Sequence, residues 1–392
     1  MTPSPRRLAI LGATGSIGSQ ALEVVRRLRG QGERFEVVSL AAGRRVRALA
    51  VLAREFHPQM VAVAGEEEAK ELRPLLPPGV ELVWGREGLA QAAAHPRAEL
   101  VLNAVVGALG LYATLAALRA GKSLALANKE SLVVGGELVL SARKHPDQIV
   151  PVDSEHAALY QLLSGASREE VERVWITASG GAFRDLAPEE LERVTPEEAL
   201  AHPTWKMGPR ITVDSATLVN KAFEVIEAHF LFGFSWEEIG VALHPQSVVH
   251  ALVELRDGSL LAQLAPPDMR IPIQAALTHP RRLGPPPSRL SLPGLTLEFR
   301  ELPRDRHPGY WTVLAAGKEG GTAPAVANAA DEVLVGAFLA GRIPFTAIAA
   351  GLDWVLARHS PTPVQELSDI EAADSWARAR AREYVERAGR GA

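Results

Sequence analysis

At 392 residues the chain is too long for one ordinary domain, and two or three are expected. A net charge of -4 argues against a dedicated nucleic-acid binder, and no apolar run approaches the length of a membrane span. With no cysteine, disulfides, thiolate metal ligands and cysteine nucleophiles are excluded. The opening Met-Thr-Pro-Ser-Pro-Arg-Arg runs straight into a strand without a signal peptide's apolar core, so a cytoplasmic location is expected. Only seven lysines stand among the 42 basic residues, a bias shared by thermophilic and GC-rich sources. Lys129, Lys206 and Lys221 therefore mark places that favour a compact ammonium over a guanidinium.

The first 150 residues alternate short apolar runs with helical patterns, which predicts successive βαβ units and an α/β fold with a parallel sheet. Strands are expected at 8–11, 35–41, 60–64, 99–106, 123–127 and 149–152, with helices over 19–28 and 111–119. Residues 151–285 read as a central α+β domain with strands at 174–178, 247–255 and 260–264 in a mixed or antiparallel sheet. Asp257-Gly258 marks a tight hairpin turn. The Pro-interrupted stretch 195–210 reads as a mobile loop with a flap near 200–210. A connecting segment over 286–310 precedes a C-terminal helical bundle, 311–392, with breaks at Gly341 to Pro344 and Ser360 to Pro363.

Gly12-Ala13-Thr14-Gly15-Ser16-Ile17-Gly18 falls between the first strand and the first helix. Glycines there let a dinucleotide pyrophosphate approach backbone N–H groups, as in a Rossmann domain; an ordinary tight turn is the alternative. The second strand ends in Ala42-Gly43-Arg44-Arg45 rather than in an acidic residue, which favours the 2′-phosphate of NADPH. A solvated arginine-rich helix start is the competing reading.

Asp153 and Glu155 stand i, i+2 on a chain read as extended, so both project to one side of a strand end. Glu224 lies one turn beyond Asn220 on a helix expected over 217–230. Three carboxylates without cysteine select a hard ion, Mg²⁺ or Mn²⁺, unless they are ordinary surface charge. His156 reads as structural. Ser179-Gly180-Gly181, Asp214-Ser215 and the pair Asn220-Lys221 suit a phosphate monoester, although each serine alone could simply cap a helix. The segment His202 to Gly208 carries Trp205, either a lid over a ligand or a core anchor.

In order, G-A-T-G-S-I-G, N-K-E-S-L-V, P-V-D-S-E-H, T-A-S-G-G-A-F-R, H-P-T-W-K-M-G, V-D-S-A-T-L-V-N-K and H-P-Q-S-V-V-H resemble the 1-deoxy-D-xylulose 5-phosphate reductoisomerase family. The resemblance covers essentially the whole chain, P-P-D-M-R included. It implies an NADPH-binding Rossmann domain, a catalytic domain and a helical bundle in a homodimer. The implied reaction rearranges deoxyxylulose phosphate and reduces the aldehyde to 2-C-methyl-D-erythritol 4-phosphate, the committed step of the non-mevalonate isoprenoid route. A retro-aldol and aldol sequence is favoured, with a direct α-ketol shift left open.

By the same resemblance Asp153, Glu155 and Glu224 are the metal ligands, and Lys129 and Ser154 contact the reacting oxygens. Ser179, Ser215, Asn220 and Lys221 hold the phosphate, His202 closes the site, and Trp205 and Met207 lie on the flap. Thr14, Gly15, Ser16, Ile17, Gly43, Arg44, Arg45, Asn128, Glu130 and Gly208 line NADPH. The chain departs from the family at 44 and 45, where Arg-Arg replaces a frequent Lys-Asn and positive charge is retained. Two other readings use the same glycine turn. A semialdehyde or homoserine dehydrogenase leaves the acidic trio unexplained, and a metabolite sensor would bind NADPH without turnover.

Overall fold

The computed structural model describes residues 4–389. Residues 1–3, part of the opening stretch read for a leader, and residues 390–392 lie outside the described residues. The chain divides into two compact units. One comprises residues up to Ser131 with Val139–Tyr160 and Asp268–Ser288; the other comprises Leu132–Leu138, Gln161–Pro267 and Arg289 onward. The sequence reading, with boundaries at 150 and 285, does not anticipate that the helix Arg270–Thr278 belongs with the N-terminal sheet. Its Ile273, Ala276 and Leu277 join the buried cluster formed by the sheet and its flanking helices.

Seven parallel strands form the first sheet: β1 (Arg6–Leu11), β2 (Phe35–Ala41), β3 (Met60–Val63), β4 (Glu81–Trp84), β5 (Leu100–Asn103), β6 (Ser123–Leu126) and β7 (Ile149–Pro151). Their order, β4-β3-β2-β1-β5-β6-β7, is doubly wound, as expected for a Rossmann-type α/β fold. β3 and β5 are buried along their whole length, because helices cover both faces of a parallel sheet. The edge strand β4 escaped the sequence reading: none of its residues is fully buried, so it lacks a continuous apolar signal. The order reverses between β1 and β5, the place where such folds bind nucleotides.

The second unit carries a mixed sheet of β8 (Val171–Ala178), β9 (Ile239–Leu243), β10 (Val249–Leu255) and β11 (Leu260–Leu264) in the order β11-β10-β8-β9. β8 and β9 run parallel and the other pairs antiparallel. The hairpin turn is as expected: Gly258 has φ +86°, and the Ser259 N–H donates to Asp257 Oδ1 at 2.8 Å. Four long helices, Pro308–Glu319, Ala323–Leu339, Thr346–Leu356 and Leu367–Ala388, form the C-terminal bundle. Two of their three breaks contain the predicted clusters at Gly341 to Pro344 and Ser360 to Pro363; the break at Gly320-Gly321 is not among the predicted ones. Among the described residues no helix is long and apolar enough to cross a membrane.

Arg210 joins the helix Pro209–Thr217 to this bundle. Its guanidinium donates to Asp331 at 3.0 Å, Glu332 at 2.8 Å and Asn328 at 2.9 Å, with Asp214 at 3.4 Å. Arg378 then reaches Glu332 from the last helix at 2.5 Å. Burial pushes the Asp331 carboxyl up to about 6, and Arg210 opposes that rise.

His307 precedes the first bundle helix and is buried. Burial, with Arg306 adding to it, lowers its imidazole to about 4, so the fold holds it neutral. The resulting stability is complete above the unfolded value near 6.5 and is lost as pH falls toward 4, an effect of about 3 kcal/mol. His307→Gln should flatten that part of the pH dependence, measured by urea unfolding at pH 7.5 and pH 4.5. An unchanged slope would contradict the assignment.

Candidate active site

In the first unit, Gly12 turns the chain at φ +78° immediately after β1. A Cβ there would lie 2.3 Å from the Ala104 carbonyl beyond β5, and one on Gly18 would lie 2.2 Å from the Gly12 carbonyl. Both positions therefore need glycine, and the helix Ser16–Gly30 can start hard against the strand ends. Thr14, Gly15 and Ile17 are half-buried and Ser16 is exposed. Gly43, Arg44 and Arg45 follow β2 on the surface, and Arg45 donates to the Thr14 carbonyl at 2.9 Å. The arginines thus stand beside the glycine turn, with one tied to it.

Asn128 and Glu130 do more scaffolding than the sequence reading gave them. The Asn128 amide donates to the Gly107 carbonyl at 3.0 Å and to Glu130 at 2.8 Å, and its oxygen accepts from the Ser131 N–H at 3.1 Å. A Cβ on Gly110 would strike the Asn128 amide oxygen at 2.2 Å, so this web also fixes a glycine. Glu130 accepts from the Gly107 N–H at 3.3 Å.

Lys129, between them, is buried and pairs with Asp153 at 2.5 Å. Here the extended-chain expectation is corrected. β7 ends at Pro151, and Ser154 already begins the helix Ser154–Leu163, so Asp153 immediately precedes that helix and Glu155 sits in its first turn. The Ser154 N–H donates to Asp153 Oδ1 at 3.0 Å, and its hydroxyl donates to Glu155 at 2.5 Å. The positive end of the helix dipole favours both carboxylates, independently of alternation. His156 is fully buried on this helix.

In the second unit, β8 runs into Ser179-Gly180-Gly181, with φ +87° and +70° at the two glycines. A Cβ on Gly181 would meet the Ser215 carbonyl at 2.5 Å, so the turn lies directly on the helix Pro209–Thr217. Ser179 Oγ sits 3.0 Å from His202 Nε2 and accepts from the Gly181 N–H at 3.3 Å. His202 Nδ1 accepts from the Thr204 and Trp205 N–H groups at 3.1 and 3.0 Å. With Nδ1 committed as an acceptor, the neutral ring carries its proton on Nε2, facing Ser179. Burial first, and Arg184 second, hold the imidazole below its usual range, in accord with that tautomer.

The stretch read as a loop over 195–210 contains the short helix Pro196–Leu200, capped by Thr195, and ends where the helix at Pro209 begins. The irregular part is 201–208. Trp205 and Met207 are half-buried there and Gly208 is exposed. The Trp205 ring lies 6.2 Å from that of His250, with an interplanar angle of 57°.

The helix expected over 217–230 is Val219–Phe232, and a further helix, Pro209–Thr217, precedes it. Leu218, at φ +59°, breaks the chain between Pro209–Thr217 and Val219–Phe232, so Ser215 lies within a helix rather than ahead of one. A non-glycine residue in that region costs about 1–3 kcal/mol and persists where surrounding structure enforces it. The break starts a new helix at Val219, and Asn220 and Lys221 lie in its first turn. Lys221 is 4% and Glu224 2% exposed; they form an ion pair, and Lys221 also donates to the Thr177 carbonyl at 2.5 Å. Asn220 donates to Glu224 at 2.5 Å. Tyr310 lies close enough to feel Lys221, though burial dominates and pushes its phenol up to about 12.

The sequence reading missed Arg184, which donates to the Ser179 carbonyl at 3.0 Å. No spacing rule announces a side chain that serves a backbone oxygen across a turn.

A doubly wound sheet with a glycine turn at its switch point, and a separate unit bearing a hydroxyl, imidazole and ammonium cluster, define a nucleotide-dependent α/β enzyme of the Rossmann class. Family models of 1-deoxy-D-xylulose 5-phosphate reductoisomerase match residues 8–136, its C-terminal domain 149–232, and the DXP reductoisomerase C-terminal domain 264–380. The chain belongs to the 1-deoxy-D-xylulose 5-phosphate reductoisomerase family. Relatives of that name include one from Geobacillus kaustophilus, 48% identical over 96% of this chain and 99% of its own length. Another, from Moorella thermoacetica, is 51% identical over 96% of this chain and 97% of its own. Among solved structures, the Zymomonas mobilis reductoisomerase in complex with NADPH is similar with TM-score 0.90 and 40% identity, covering 98% of this chain and all of the other. A reductoisomerase complex with NADPH, fosmidomycin and magnesium matches with TM-score 0.89 and 36% identity, covering 97% and 98% of the two chains.

Proposed function

We propose that the chain converts 1-deoxy-D-xylulose 5-phosphate into 2-C-methyl-D-erythritol 4-phosphate, using NADPH and a divalent cation, as the committed step of the non-mevalonate isoprenoid route. Family membership over nearly the whole chain carries this reading. The donor chemistry fits the two groups. Glycines that admit no Cβ leave room for a pyrophosphate, and Asp153, Glu155 and Glu224 offer only carboxylate oxygens, which suit Mg²⁺ or Mn²⁺. When bound, NADPH supplies hydride and the cation supplies Lewis-acid polarisation.

The remaining roles belong to the chain. Thr14, Gly15, Ser16 and Ile17 present the helix start to the pyrophosphate, Gly43, Arg44 and Arg45 receive the 2′-phosphate, and Asn128, Glu130 and Gly208 complete the nucleotide contacts. Lys129 and Ser154 face the reacting oxygens, where a buried ammonium stabilises developing negative charge. Ser179, Ser215, Asn220, Lys221 and His202 hold the phosphate. Ser179 Oγ accepts two hydrogen bonds, so its own proton is directed outward to an anion. Phosphate held away from the reacting carbons supplies binding energy for positioning and for closure of the segment carrying Trp205 and Met207. A homodimer in the cytoplasm, and Mn²⁺ as an alternative to Mg²⁺, complete the proposal.

The test is product identity. Incubation with deoxyxylulose phosphate, NADPH and Mg²⁺ should accumulate methylerythritol phosphate, identified by mass and NMR. Tight NADPH binding without that product would move the sensor reading ahead.

A further inference from the structure

We propose that Arg184 is a positioning residue of the anion site, fixing the Ser179-Gly180-Gly181 turn so that its hydroxyl and amides converge on one oxyanion. This rests on the reading that the turn receives the substrate phosphate. Arg184 Nη1 donates to the Ser179 carbonyl at 3.0 Å, and its aliphatic stem passes beneath Gly180. A Cβ on Gly180 would lie 2.6 Å from Arg184 Cγ and 2.7 Å from Cδ, so the turn has been shaped around this side chain. From the other side, the Gly181 position is closed by Ser215 and Ala216. The turn is therefore held between an arginine stem and a helix.

The guanidinium is itself fixed. Asp185 accepts from Nε at 3.0 Å and from Nη2 at 2.7 Å, a two-pronged pairing. The other oxygen of Asp185 accepts from Arg300 at 3.0 Å, and Arg300 also pairs with Glu298 at 2.6 Å. Arg300 is anchored by two backbone hydrogen bonds to Leu243 at the end of β9, both 2.9 Å. The chain of contacts runs from the sheet edge through Arg300, Asp185 and Arg184 to the Ser179 carbonyl. Two arginines and two carboxylates cancel in formal charge, so long-range attraction of a dianion is not its main effect. What the cluster supplies is geometry.

Steady-state kinetics with Arg184→Met, Arg184→Lys and, for comparison, Ser179→Ala tests this, with inorganic phosphate as competitor of the sugar phosphate. Arg184→Met should raise both KM for deoxyxylulose phosphate and Ki for phosphate about tenfold, the scale of one lost charge-assisted hydrogen bond. KM for NADPH and the melting temperature should stay near wild type. Lysine retains the charge and can donate, but lacks the planar fork, so Arg184→Lys should fall between wild type and Arg184→Met. If Arg184→Met does not fold, the lysine variant is read the same way. The inference is overturned if KM and Ki stay within about twofold of wild type in the arginine variants while Ser179→Ala raises both. It is also overturned if NADPH and sugar-phosphate constants worsen together with the melting temperature. Should Ser179→Ala change neither constant, the phosphate reading fails and takes the inference with it.

Discussion

Glu224→Gln should lower turnover by about a thousandfold or more, since a Lewis-acid contribution of several kcal/mol depends on a charged ligand set. NADPH affinity should stay within about twofold, because the glycine turn lies in the other unit. The physical reason is local. Glu224 is almost fully buried, balances the Lys221 ammonium and accepts from Asn220. An amide keeps the shape, removes the charge and turns a donor toward Asn220's own donors. Glu224→Asp, which keeps the charge but shortens the reach, should retain more activity. Fluorescence titration of NADPH beside initial rates separates the two effects. Equal loss of turnover and nucleotide affinity in a folded variant would refute the separation of the metal role of Glu224 from nucleotide binding.

Arg210→Ala should be the most damaging single substitution for stability, costing about 3–5 kcal/mol, as for a buried charge network deprived of one partner. Asp331 is 0% exposed, and Asp214 is buried as well. Their carboxylates lose the guanidinium that serves Asp331, Glu332 and Asn328 together. The loss should depend on pH in a defined direction. Burial already pushes Asp331 up to about 6, and without Arg210 it rises further. Protonation then relieves the penalty, so the variant's deficit should be larger at pH 8 than at pH 5.5. Urea unfolding at the two values checks this, and a deficit below about 1 kcal/mol at pH 8 would contradict it.

Much of the chemistry was legible in residue types, while geometry was legible only where it is local. The turn from Gly12 to Gly18 could be placed because strand, glycines and helix are consecutive. The i, i+2 spacing of Asp153 and Glu155 suggests a strand end, although Asp-Ser followed by an acidic residue is also a helix-start signal. The break at Leu218 has no glycine or proline to announce it; packing imposes a left-handed residue that local preference disfavours. β9 was overlooked because only its first and last residues are fully buried. Arg210 and Asp331 are 121 positions apart, and a pairing at that range exists only once the helices have packed. Arg184 serves a carbonyl, and a backbone partner leaves no trace in residue type.

The most direct test follows NADPH absorbance with deoxyxylulose phosphate and Mg²⁺, then repeats the assay after chelation and after Mg²⁺ is restored. Oxidation that stops with the chelator and returns with the cation is the predicted result. NADPH that binds but is never oxidised, or oxidation indifferent to chelation, would contradict the account.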